Sequence, residues 1–267
     1  MWTIGEMKSR GWERVSRYFQ AAYGVVVISF ILGLIFNAEA NPLLNLHGTS
    51  HLLEQMSFLG PVAGLFLLLT FQAMALVISL ASILFKFFVL NPIEVGTCLF
   101  FLESRERGES AGVETIFRIF KSRSYGNVVK VMFFRDLYIF LWMLLLVIPG
   151  IYKSLQYQMI PYLLAEHPEM SSQDAFDRTK ALMEDQCLHL LGLQFSFIGW
   201  ALLCCLLGSL ASFAIGMIFP VNWLKIWVSG AVTLLVTPYL QATVTELYIY
   251  LRYDKQSDGN ASQWEVN

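Results

Sequence analysis

Arg135 and Asp136 stand side by side just ahead of the charge-free run 137–152, and Glu246 directly follows the charge-free run 226–245. An ionisable group at the edge of a long apolar segment is a candidate for function, because an unpaired charge in hydrocarbon is costly. The three are expected to meet at the inner end of a helical bundle, with Arg135 and Glu246 pairing. The chemistry open to them is a structural ion pair, snorkelling to an interface, or contact with a charged ligand. Gln72, Gln156, Gln158, Gln194 and Gln241 add amides at membrane depth. Such amides bond between helices at about 0.6–2 kcal/mol each. Gln156, Gln194 and Gln241 are also candidate ligand-binding residues. Pro149-Gly150, Pro161 and Pro238 are expected to bend or break helices and release carbonyls toward a ligand.

Other chemistry has weaker footing. His47 and His51 are four residues apart with Glu54 three beyond, but no His-Glu-x-x-His pattern accompanies them, and no metal site is expected. Ser196 lacks a Gly-x-Ser-x-Gly elbow and a neighbouring base. There is no phosphate-binding glycine loop and no dinucleotide fingerprint, so neither an ATP pump nor a cofactor enzyme is expected. The four cysteines, Cys98, Cys187, Cys204 and Cys205, have no zinc-ribbon or external disulfide spacing and are expected to pack.

The elements that must position these residues follow from composition. Of 267 residues, 56% are apolar, 15% aromatic and only 14% charged, against roughly 25% charged in a soluble domain. Mean hydropathy is +0.57. These values exclude a disordered chain, a nucleic-acid binder and a disulfide-stapled module. Runs free of Asp, Glu, Lys and Arg cover 18–38, 55–85, 137–152, 154–165, 186–224 and 226–245. A crossing helix needs about 20 apolar residues, and runs such as Leu65-Phe66-Leu67-Leu68-Leu69 do not alternate as barrel strands do. The pattern predicts an all-α membrane bundle of about six transmembrane helices, near 19–37, 60–85, 131–148, 151–166, 187–216 and 226–250. The third and fourth meet at Ile148-Pro149-Gly150-Ile151, which reads as a tight hairpin or a break within the membrane. The run 186–224 also admits two short spans around Gly208-Ser209.

Basic residues orient the bundle. With six spans and both termini cytoplasmic, 16 of the 18 Lys and Arg lie inside, leaving Lys153 and Lys225 outside. The 38–58 loop has neither and is expected to be external. Ala38-Glu39-Ala40 imitates a signal-cleavage site, but cleavage would discard a full span and is not expected. Val113, Ile116, Phe117 and Phe120 recur at helical spacing beside Arg118, Lys121 and Arg123, predicting an amphipathic interfacial helix or a connector docked on the bundle. Ser171 and Asp174 open a second inner helix with a capping box. Residues 1–254 are expected to form one bundle domain and 255–267 a flexible cytoplasmic tail.

Several strings resemble a known family. They are Met1-Trp2-Thr3 with Lys8, Asn91-Pro92 followed by Gly96, and Ile148-Pro149-Gly150-Ile151. Further along come Tyr157, Ala165-Glu166-His167-Pro168, Met183, Phe195-Ser196-Phe197-Ile198-Gly199-Trp200, Pro238-Tyr239 and Tyr248. In that order they resemble the bacterial integral membrane family catalogued as domain of unknown function 975, over nearly the whole chain apart from 38–58. The resemblance implies a bacterial cell membrane and a helical bundle, and it carries over no reaction, substrate or catalytic residue. A fainter likeness to membrane domains attached to glycerophosphodiesterases suggests proximity to lipid.

The expected function is a non-enzymatic accessory, assembly or lipid-interacting membrane protein, with membrane lipids and another membrane protein as partners and no nucleic acid. The alternative is a small-molecule permease or exporter component. A permease predicts a cavity lined by Gln72, Gln156, Gln194 or Gln241, and an accessory protein predicts a dry core with a lateral groove or flat face. An intramembrane enzyme would need Arg135, Asp136 and Glu246 to converge.

Overall fold

A computed structural model describes residues 2–36, 61–218 and 223–257. Among the described residues every regular element is helical. The order is α1 (Ile4–Arg17), α2 (Phe19–Phe36), α3 (Pro61–Phe85), a π turn (Lys86–Leu90), α4 (Asn91–Arg107), a 3-10 turn (Val113–Phe117) running into one α-turn (Arg118–Lys121), and α5 (Tyr125–Leu145). These are followed by α6 (Val147–Gln156), a 3-10 turn (Tyr157–Met159), α7 (Ile160–Glu166), α8 (Ser172–Leu182), α9 (Cys187–Ile218) and α10 (Trp223–Ser257).

The packed core gathers at one end of these helices. Val95, Cys98 and Leu102 of α4, all of α7 from Ile160 to Ala165, Leu182 and Met183 at the end of α8, and Leu190 and Leu193 of α9 are buried together with Leu247 and Tyr248 of α10. A second cluster joins Val15, Tyr18, Ala22 and Val25 to Phe100, Phe101 and Ile116. Away from this core the apolar side chains stand exposed: Leu65, Phe66 and Leu69 on α3, residues 141–148 across the α5–α6 join, and Trp200 and Leu203 on α9. α1 is amphipathic. It turns by 95° at Tyr18 into α2, burying Met7, Gly11 and Val15 while its basic residues line other faces.

The expectation of about six spans is corrected. Among the described residues one continuous stretch, 64–107, is long and apolar enough to cross a membrane, and a second if the bent pair α1–α2 counts as one. The expected third and fourth spans fail for a local reason. Proline has no N–H, so Pro149 cannot donate to the carbonyl of Leu145, and α5 ends there. Leu146 is extended (φ −156°, ψ 134°), and α6 restarts at Val147 with Pro149 in its first turn, where a missing donor costs little. The break therefore falls at Leu146, not at Pro149-Gly150. Gly150 serves the packing instead. A Cβ there would lie 2.8 Å from the Met143 Cα, so only glycine lets the two helices close on each other. α6 has 10 residues and α7 only seven, the latter enclosed by protein.

The interfacial helix expected over Val113–Phe120 is also corrected. A 3-10 segment and a single α-turn stand there, with Ile116 and Ile119 buried and Val113 and Phe120 packed on the second cluster. The segment is a docked connector. α8 follows its capping box: Ser171 Oγ accepts from the Asp174 N–H at 3.1 Å and donates to its carboxylate at 2.6 Å, and Ala175, Phe176, Leu182 and Met183 face the bundle. α10 extends to Ser257, past the expected end of the bundle at 254. The 38–58 loop, with His47, His51 and Glu54, and residues 258–267 lie outside the described residues.

Candidate functional site

Arg135 and Glu246 do not pair. α4 stands between them and supplies a partner to each. Glu94 and Arg105 lie 11 residues apart on that helix, three turns along one face and roughly 16 Å of rise. Arg135 donates bidentately to Glu94 (2.7 and 3.0 Å) and also to Asp136 Oδ1 (Nε 3.0 Å, Nη2 2.9 Å). Asp136 Oδ2 accepts from Asn91 at 3.1 Å and pairs with Lys86 at 3.2 Å. Two cations and two carboxylates make this group neutral, and Arg135 and Asp136 are each only 12% exposed. Charges withdrawn from water in this way persist because each is paired and hydrogen-bonded.

Glu246, at 3% exposure, is met by Arg14 of α1 at 3.4 Å and Arg105 of α4 at 3.3 Å. Tyr18 belongs to the same corner. Burial pushes its hydroxyl up to about 12, the Glu246 carboxylate adds to the rise, and Arg14 and Arg105 oppose it, so the phenol stays neutral. A third group ties α7 to α10: Glu166 binds Arg252 and accepts from Tyr248 Oη at 2.7 Å. Tyr248 stacks on Tyr162, with ring centroids 5.2 Å apart, and Tyr162 Oη donates to Gln241 at 3.3 Å.

The glutamines divide. Gln194 donates to Gln158 at 2.8 Å between α9 and the 157–159 turn, and Gln241 bonds to Tyr162 as above. Gln156 accepts from Lys153 on its own helix at 2.7 Å, and its carbonyl receives Thr179 Oγ1 at 2.9 Å. Gln72 is exposed on α3. Pro161 occupies the first turn of α7, whereas Pro238 sits inside α10 without ending it, withholding a donor from the Leu234 carbonyl. A cavity of about 360 Å³ opens on that side, lined by Val26, Ser29, Glu94, Thr97, Leu234 and Gln241 among others. A second, of about 580 Å³, lies at the base of the α5–α6 hairpin and is lined by Tyr138, Trp142, Lys153, Ser172 and Lys180 among others. Among the described residues no three of His, Cys, Asp and Glu are grouped to hold a metal.

Sequence reasoning missed the partners Glu94, Arg105 and Arg14, and it named Glu166 and Tyr248 without pairing them. The three-turn spacing of Glu94 and Arg105 was available as a signal, but with expected spans ending at 85 and resuming at 131 the stretch between them reads as a connection on the inner side rather than a helix. No protein-family model, no curated protein and no solved structure matches the chain.

Proposed function

We propose that the chain is a multi-pass membrane protein of non-enzymatic character, acting as an accessory, assembly or lipid-interacting bundle. The observation that carries this reading is the division of the molecule into two ends. At one end the ionisable groups neutralise one another around a packed core. At the other the helices present bare apolar side chains, of which Ile148 at 83% exposure is the extreme. Exposed apolar surface on this scale is characteristic of contact with lipid or protein.

The topology we infer has four crossings, α2, α3, α9 and α10, with α5–α6 entering and leaving on one side. Beside the apolar stretch 64–107 and the bent α1–α2 pair, the support for α9 (32 residues) and α10 (35 residues) as crossings is that the charge-free runs 186–224 and 226–245 fall largely within them. Returning the hairpin to the inner side brings Lys153 with it, so 17 of 18 basic residues lie inside, one better than with six spans. Both termini remain cytoplasmic. The resemblance to the family catalogued as domain of unknown function 975 favours a bacterial cell membrane. Alkaline carbonate extraction of membranes tests the reading: the chain is expected to stay with the pellet, and release into the supernatant contradicts it.

A permease role is the second reading, favoured by the cavity beside Pro238 that holds Glu94, Thr97 and Gln241. Thr97→Cys discriminates. Labelling by a membrane-impermeant maleimide from both faces favours a transport path, and protection from both favours a packing role.

A further inference from the structure

The α5–α6 hairpin is too short to cross a bilayer. Nine residues separate Asp136 from the end of α5 at Leu145, roughly 14 Å of helix, against a hydrocarbon core about 30 Å thick. The eight residues 141–148 are all exposed and all apolar apart from the Trp142 ring nitrogen. Toward the base the chemistry changes: the Trp142 ring, which belongs to the tip, is joined there by Tyr138, Lys153 and Tyr157. Aromatic rings and lysine at the foot of an apolar tip are the composition of a membrane–water interface.

At that level lies the cavity of about 580 Å³. Lys153 points a cation into it. Its ammonium is 5.6 Å from the Trp142 ring and 5.7 Å from the Tyr157 ring, donates to Gln156, and has no carboxylate at ion-pair distance among the described residues. Lys180 of α8 also lines it, held by Asp177 at 3.2 Å in an exposed pair, where the attraction is weak. The first turn of α8 adds the Gln173 amide and Ser172, whose buried Oγ has no hydrogen-bond partner. A buried hydroxyl without a partner costs free energy unless a ligand or water satisfies it.

We propose that this cavity binds the phosphate headgroup of an anionic phospholipid of the inner leaflet, with the acyl chains lying along the exposed face of the hairpin. Lys153 and Lys180 face the phosphate oxygens, Ser172 and Gln173 donate to them, and Trp142 and Tyr138 flank the glycerol. Asp177 is the one carboxylate among the residues that line the cavity, and the phosphate takes its place on Lys180. The site rests on the membrane reading above, since the chains need a leaflet beside the hairpin.

The test uses the full-length chain in mild detergent, examined by native mass spectrometry after incubation with phosphatidylglycerol or phosphatidylcholine. Both lipids carry a phosphate, and only the first is anionic. Wild type is expected to retain phosphatidylglycerol selectively, and retention is expected to fall about fivefold for each lysine removed in Lys153→Gln and Lys180→Gln. Gln173→Glu is the second variant. A carboxylate in the first turn favours α8 itself, so folding is kept while the phosphate is repelled and retention drops. Equal retention of the two lipids, or unchanged retention in folded variants, overturns the site. Stabilisation of lipid-stripped protein by inorganic phosphate, with no gain from phosphatidylglycerol, assigns the cavity to free phosphate and overturns the lipid assignment. Release of the chain by alkaline carbonate is the separate failure of the membrane reading.

Discussion

Glu246 keeps its carboxylate among apolar neighbours because Arg14 and Arg105 reach it from two other helices. Removing the carboxylate leaves two arginines facing each other, each still partly open to water. Glu246→Ala is therefore expected to lower stability by about 2–3 kcal/mol, with Glu246→Gln costing less because the amide still accepts a hydrogen bond. A thermal melt in detergent measures both, and a Glu246→Ala melt at the wild-type temperature contradicts the pairing. The ionisable residues of this site were legible in the sequence: Arg135, Asp136 and Glu246 stand out against apolar runs. Their partners were not. Pairing is decided by which helix passes between two residues, and α4 separates Arg135 from Glu246. One-dimensional spacing does not contain that.

At the scale of elements, Pro149 and Gly150 mark the right place in the sequence, and the structure separates what each does. The proline acts backward, ending α5 at Leu145, and the glycine acts sideways, admitting the backbone of Met143. Gly150→Leu is expected to splay the hairpin and cost about 1–3 kcal/mol, read as a lower melting temperature together with increased solvent quenching of Trp142 fluorescence. An unchanged melt and spectrum would contradict the close approach. In the 113–120 segment the facing was legible and the element was not. Of the four residues at helical spacing, Val113, Ile116 and Phe120 do turn to the protein while Phe117 stays largely exposed, and a 3-10 segment plus one α-turn achieves it, burying Ile119 as well. Hydrophobic period over eight residues does not distinguish these from a continuous helix. The amphipathic helix with basic faces is instead α1, whose Lys8, Arg10, Arg14 and Arg17 precede the first charge-free run.

At the scale of the molecule, the all-helical architecture of the described residues and an apolar character were readable from composition, and α2, α3, α9 and α10 begin or end close to the charge-free runs that announced them. The number of crossings was not readable, because a charge-free run of 12 to 16 residues suits a short crossing, a re-entrant hairpin and a buried helix alike. α5 and α6 form two arms joined at an exposed tip, and α7 is a helix enclosed in the core. That distinction sets both the proposed topology and the leaflet at which Lys153 and Lys180 face the membrane. The most direct test places a single cysteine on α6, as Ser154→Cys in a chain whose four native cysteines are replaced by serine, and labels it with a membrane-impermeant maleimide. A re-entrant hairpin gives no labelling in intact cells and labelling once the inner face is opened. Labelling in intact cells would restore the six-span arrangement and contradict the hairpin.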